Sequence, residues 1–168
     1  MNDHVIPPAA TRVRLRGFSR SLPMSLLRAR EAVMRHFRVS LRGYGVTEQQ
    51  WRVLRALSSV GEIEISDLVR STFLLAPSLS RILRDLEARQ LIIRRTPASD
   101  LRRSLISMAP AGIALMEVVA PHSEAIYAEI TRRFGAERLA LLQDMLRDLE
   151  DEMTSFGPLD ADLDETEL

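Results

Sequence analysis

Between Ser66 and Ala109 the chain reads as helix, turn, helix, strand, polar tip, strand. The second helix, residues 77–90, places Leu79, Ile82, Leu83 and Leu86 at the i, i+3, i+4, i+7 spacing of one buried face. Its other face carries Ser78, Ser80, Arg81 and Arg84. Two short apolar runs follow, residues 91–95 and 104–108, around a Pro-containing basic tip at 96–103. That is the pattern of a hairpin. The order of elements predicts a winged helix-turn-helix. A helix with an apolar back and an outer face of hydroxyls and guanidiniums can sit in a DNA major groove.

The charge distribution agrees. The net charge is zero, but residues 1–110 carry 19 Arg against 9 acids, and residues 111–168 carry 4 Arg against 14 acids. The basic half is the half that contains the helix-turn-helix, which points to nucleic acid. Every basic residue is Arg, a habit that genomic base composition explains without a functional cause. With no cysteine, disulfides, thiol redox chemistry and thiolate metal sites are excluded. His4, His36 and His122 show no ligand spacing, so no metal and no cofactor are expected. No nucleophile–base pairing or phosphate-binding glycine loop appears, which argues against an enzyme. There is no apolar run long enough for a membrane span and no hydrophobic signal core, so a cytoplasmic location is expected.

The flanks complete the expected plan: mainly α, about six helices plus a small β-hairpin wing, with a helical dimerisation layer. Residues 1–21 read as a flexible Arg-rich arm, suited either to DNA or to a solvated or partner-packed tail. A first helix is predicted from Pro23 to Arg42, with Leu26, Leu27, Val33, Met34, Phe37 and Leu41 as its stripe. Arg30 sits inside that stripe and needs a partner: Glu31 or Glu48 of a second subunit, or a bound carboxylate. Thr47 and Gln50 fit a capping box for the second helix. Trp51 follows as core or as one wall of a ligand pocket. Residues 62–65 suit a short strand, and Ser66 is expected to cap a helix from Asp67 to Phe73.

Beyond the wing, residues 111–134 read as a long helix containing Pro121, and residues 136–156 as a last helix with Leu139, Leu142, Leu146, Leu149 and Met153 in an a/d-like pattern. Two such striped helices need a partner surface, most simply a second copy of the chain. The expected division is therefore an arm (1–21), a dimerisation region (22–45 and 110–156), a DNA-binding domain (46–109) and an acidic disordered tail (157–168).

These segments resemble the MarR family of bacterial winged-helix regulators over about residues 22–156. The run 86–95, leading into the wing, is typical of that family, although a Gly more commonly stands where this chain has Gln90. Asp100 and Arg102 match the family's Asp-x-Arg wing motif. Residues 109–112 resemble its Thr-x-x-Gly helix start, with Ala109 in place of the Thr. Residues 27–38, 47–52 and 74–79 are similar to regulators of homoprotocatechuate degradation operons. The resemblance implies a dimeric repressor of aromatic catabolism, released by a small aromatic acid.

On that basis Ser78, Ser80 and Arg81 are expected to contact bases, with Arg84 next. Arg102 is expected in the flanking minor groove, oriented by Asp100, while Arg95 and Arg103 neutralise phosphate. Ser25, Arg30, His36, Trp51 and Arg52 are the candidate residues for an aromatic carboxylate effector. Two other readings fit much of the same pattern: a DNA-binding protein without an effector, and a winged-helix protein-interaction module.

Overall fold

A computed structural model describes residues 17–97, 100 and 103–156. The chain divides into two compact units, Met1–Val119 and Ala120–Leu168, with the boundary inside a helix. The expected helical region 110–156 is thus shared between the two. The N-terminal arm up to residue 16, the tail 157–168 and Arg102 lie outside the described residues.

In the first unit a 3-10 turn at Phe18–Arg20 leads into α1 (Leu22–Arg42). Only Phe37 and Leu41 of the α1 stripe are buried, while Leu22, Leu26, Leu27 and Val33 remain exposed. The stripe therefore serves two surfaces: its C-terminal end joins the core and its N-terminal part is uncovered. Helix α2 (Glu48–Val60) starts with the expected capping box. Thr47 Oγ1 accepts from the Gln50 backbone N–H at 3.2 Å, and Gln50 Oε1 accepts from the Thr47 N–H at 2.8 Å. Two of the backbone donors that a helix start leaves open are satisfied in this way.

A short strand, β1 (Glu62–Glu64), precedes α3 (Ile65–Thr72). Ser66 does not cap this helix. The N-cap is Glu64, whose side chain makes no capping hydrogen bond, and Ser66 is the second helical residue. Extended pairing of β1 runs directly into the helix and leaves no room for a separate Ser cap. Phe73 closes α3 in the left-handed region with φ 52° and is 80% exposed. Helix α4 (Ala76–Ala88) begins one residue earlier than the sequence suggested, so Pro77 is its second residue. A first-turn proline still wastes no donor.

The wing forms as expected. Strands β2 (Ile92–Arg95) and β3 (Leu105–Met108) pair antiparallel, with Arg95 opposite Leu105 and Ile92 opposite Met108. Strand β1 adds to the outer edge of β3, giving the order β1-β3-β2. Ile106 in the central strand is fully buried. It shares the core with Leu54 and Leu57 of α2, Leu68 of α3 and Leu79, Leu83 and Leu86 of α4. Burying each such leucine contributes roughly 1.5–3 kcal/mol, so this core fixes α4 against the wing and α2.

Helix α5 (Pro110–Phe134) starts in the first unit and carries Pro121, as expected. The second unit holds the rest of α5 and α6 (Ala136–Phe156). The two helices meet at Gly135, whose φ of 94° is open to glycine alone at little cost. Leu141, Leu142, Met145, Leu146 and Met153 form an exposed stripe on α6.

Candidate nucleic-acid interface

Helix α4 is amphipathic by construction. Leu79, Ile82, Leu83 and Leu86 are buried, Ser78 is half-buried, and Ser80, Arg81 and Arg84 are exposed. Among the described residues neither Arg81 nor Arg84 has an ion pair; the Arg84 Nε donates only to the Ser80 carbonyl of its own helix, at 3.4 Å. Two uncompensated guanidiniums on one exposed helix face form a site for anions and for guanine edges.

The wing arginines differ. Arg95 donates to Glu62 at 2.8 and 3.3 Å, and Arg103 is paired with Glu64, both partners lying on β1. Each carboxylate pushes the pKa of its arginine up, through the hydrogen bond first and the charge second. Arg94 pairs with Glu87 of α4 at 3.3 Å. The sequence placed these arginines on the wing but missed their acidic partners. The signal was present: the alternation Glu62-Ile63-Glu64 puts both acids on one face of a strand, and that strand lies beside the wing. Asp100 sits at the tip, its carbonyl accepting from the Arg103 N–H at 3.2 Å.

A cleft of about 780 Å³ opens between the end of α1, the start of α2 and α4. Arg30, Arg38 and Arg42 line it from α1, Glu48 and Gln50 from α2, and Arg81 and Asp85 from α4. Glu48 is its hub. It receives Arg30, Arg38 at 2.7 Å and Arg52 at 3.1 Å, with only 12% of its side chain exposed. Arg38 also grips Glu31 through two bonds of 2.7 and 2.8 Å, which hold the Glu31 carboxyl below its usual range. Arg30 finds Glu31 and Glu48 within its own chain, and 41% of its side chain is exposed.

Of the five candidate effector residues, Arg30 lines this cleft. Arg52 donates to the Thr72 carbonyl at the end of α3, at 3.1 Å, as well as to Glu48. Trp51 is buried in the core. Ser25 and His36 are exposed on α1, the His36 ring accepting from Arg35 at 3.4 Å. Sequence reasoning named Glu48 only as a partner for Arg30 and missed Arg38 and Asp85, whose roles depend on contacts between helices.

A family model described as the MarR family matches residues 44–103, from the turn before α2 to the wing tip. The chain is 36% identical over 129 residues to the HTH-type transcriptional regulator FarR of Neisseria gonorrhoeae, covering 77% of this chain and 88% of that one. The protein belongs to the MarR family. It is also 36% identical over 128 residues to the homoprotocatechuate degradative operon repressor of Escherichia coli, covering 76% of this chain and 86% of the repressor. Among solved structures, NadR in complex with 4-hydroxyphenylacetate is similar at 34% identity and a TM-score of 0.70, over 82% of this chain and 97% of NadR. This MarR-family regulator departs from the usual pattern at Gln90, and the backbone there is left-handed, with φ 57°. That is a conformation glycine adopts without the penalty a side chain brings.

Proposed function

We propose that this protein is a dimeric, sequence-specific DNA-binding repressor, released from its operator by a small aromatic acid and acting in the cytoplasm. The observation that carries the reading is the outer face of α4. There, among the described residues, Arg81 and Arg84 have no ion pair, while Arg94, Arg95 and Arg103 of the wing are all paired. In this reading Arg81, Ser78 and Ser80 contact bases and Arg84 reaches base or phosphate. Arg102, positioned by Asp100, enters the minor groove. Arg95 and Arg103 exchange their glutamates for phosphate. The exposed apolar stripes of α1 and α6 support dimerisation, because surfaces of this kind are buried in stable proteins. Two copies then place their recognition helices about one DNA turn apart.

The aromatic effector rests on two relatives, one named for homoprotocatechuate degradation and one solved with 4-hydroxyphenylacetate. Arg30 offers a guanidinium for its carboxylate, with Ser25, His36, Trp51 and Arg52 as the remaining candidates. To release DNA, the ligand must favour the state that does not bind DNA, by a coupling of roughly 1–3 kcal/mol. The test is a fluorescence-anisotropy titration on the DNA upstream of the gene, with and without 4-hydroxyphenylacetate, homoprotocatechuate and hydroxycinnamates. Salt-sensitive binding weakened by one of these compounds is expected. Tight binding that none of them changes would remove the aromatic effector, and absence of specific binding would remove the operator.

A further inference from the structure

We propose that Gln50 is a positioning residue for DNA reading: it indexes the recognition helix α4 to the capped start of α2, although it lies outside the DNA-facing surface. The inference rests on the reading that Arg81 contacts a base. Gln50 is one of only three buried polar side chains among the described residues. Its Nε2 donates to the Asp85 carboxylate at 2.6 Å. Among the described residues this is the one hydrogen bond that joins α2 to α4. The buried leucines of α4 seat the helix on the core, but each apolar contact is itself non-directional, so small shifts in rotation or along the axis meet no single fixed point there. A charge-assisted hydrogen bond is directional and fixes both.

The identity of the residue carries the argument further. At the third position of a capping box, Glu serves as well as Gln, since either side chain can accept from the N-cap backbone. Here Gln50 Oε1 is already used that way, on the Thr47 N–H. Only the amide also offers a donor, and the group opposite is an acid. The presence of Gln rather than Glu is thus dictated by Asp85 and not by the cap. Asp85 stands one helical turn after Arg81, and both side chains line the same cleft. Gln50 engages that carboxylate from α2, and Arg89, at the C-terminal end of α4, engages it at 3.5 Å, so both its partners lie elsewhere than Arg81. Loss of the bond would both loosen α4 and leave an acid beside the base-reading guanidinium.

The experiment uses the full-length protein and measures affinity for operator DNA and for unrelated DNA of equal length, at fixed salt. Gln50→Glu keeps the capping box but sets two carboxylates against each other. The ratio of specific to non-specific affinity should fall about tenfold, roughly the worth of one base contact. Gln50→Glu combined with Asp85→Asn reverses the direction of the bond and should restore the ratio to within about threefold. Circular dichroism and a melting curve establish that each variant is folded at the assay temperature, and the swap serves as the readout if Gln50→Glu alone unfolds. Arg81→Ala is the control for the underlying reading. If Arg81→Ala lowers the ratio and folded Gln50→Glu does not, the positioning role is overturned. A swap that fails to restore the ratio also overturns it. If Arg81→Ala leaves the ratio unchanged, the base-contact reading itself fails.

Discussion

The carbonyl oxygen of Leu91 occupies the space that a side chain on Gly112 would need. A Cβ built on Gly112 falls nearer than 3.0 Å to that oxygen and 3.1 Å from the Leu91 carbonyl carbon. The first turn of α5 therefore packs backbone to backbone on the segment leading into β2, and the Ala109 N–H donates to the same oxygen at 3.1 Å. Because the obstacle is main chain, it cannot swing aside as a flexible side chain would. Gly112→Ala should cost about 1–3 kcal/mol, the usual range for overpacking a tight site. A denaturant titration with an unchanged midpoint would show that α5 can retreat freely from the wing.

Gln90 makes the opposite case. Its φ of 57° is left-handed, and it is exposed, so no packing offsets the strain. Gln90→Gly should stabilise the fold by up to about 1 kcal/mol, through relief of the left-handed penalty. The gain is partly cancelled by the greater freedom of glycine in the unfolded chain. A lower melting temperature for the variant would mean that the Gln90 side chain makes a compensating contact.

These two positions show how legible the fold was. The periods of α2, α4 and the wing strands came directly from apolar spacing, and the capping box at Thr47 was readable because it is local. What stayed hidden was non-local. Glu62 and Glu64 read as a short strand, and only its placement on the outer edge of β3 turns them into partners for Arg95 and Arg103. Arg30 read as a stripe residue in need of a partner, and only the packing of α1 on the start of α2 brings Glu48 to it within the chain. Ser66 read as a cap because the sequence does not show where β1 ends. The Gln50–Asp85 bond spans 35 positions, beyond any local pattern.

The wing glutamates should tune DNA affinity. Arg95 and Arg103 must leave Glu62 and Glu64 before they can neutralise phosphate. Exposed pairs of this kind are weak, typically about 0–1 kcal/mol, so the exchange is easy but not free. Glu62→Gln with Glu64→Gln should tighten non-specific DNA binding several-fold at low salt. The log–log salt slope should stay close to that of wild type, because the same arginines neutralise the same phosphates in both complexes. An affinity unchanged by the two substitutions would place both arginines off the DNA.

Acid should reveal the pair at the end of α5. The Glu129 carboxyl is lowered to about 2 from 4.5, first by the hydrogen bond from Arg132 and next by that from Arg133. A lowered folded-state pKa means that the pairing stabilises the protein above about pH 4.5, and that this stabilisation is lost as the pH falls toward about 2. The group is exposed, so the effect is small and best seen as a difference. The stability gap between wild type and Glu129→Gln should be constant near neutral pH and close below pH 4.5. A gap that does not change with pH would assign it to packing rather than charge.

Glu48 should matter more than a surface carboxylate. It is largely covered and serves Arg30, Arg38 and Arg52 together. Each pair alone would count for little, since the arginines are 34–41% exposed and screened by water. A shared carboxylate differs because its removal leaves three guanidiniums with Glu31 alone to offset them, and Glu31 reaches only Arg30 and Arg38. Glu48→Gln should lose about 1–2 kcal/mol at low salt, a charged hydrogen bond discounted for exposure. Added salt should shrink the loss, because the repulsion it uncovers is screened within about 3 Å at 1 M. The variant also lacks the anion that the cleft was built around. Benzoate should therefore stabilise Glu48→Gln more than wild type, as judged by melting temperature at matched ionic strength. Equal stabilisation of both proteins would mean that the arginines do not need an anion there, and that Glu48 acts only through the start of α2.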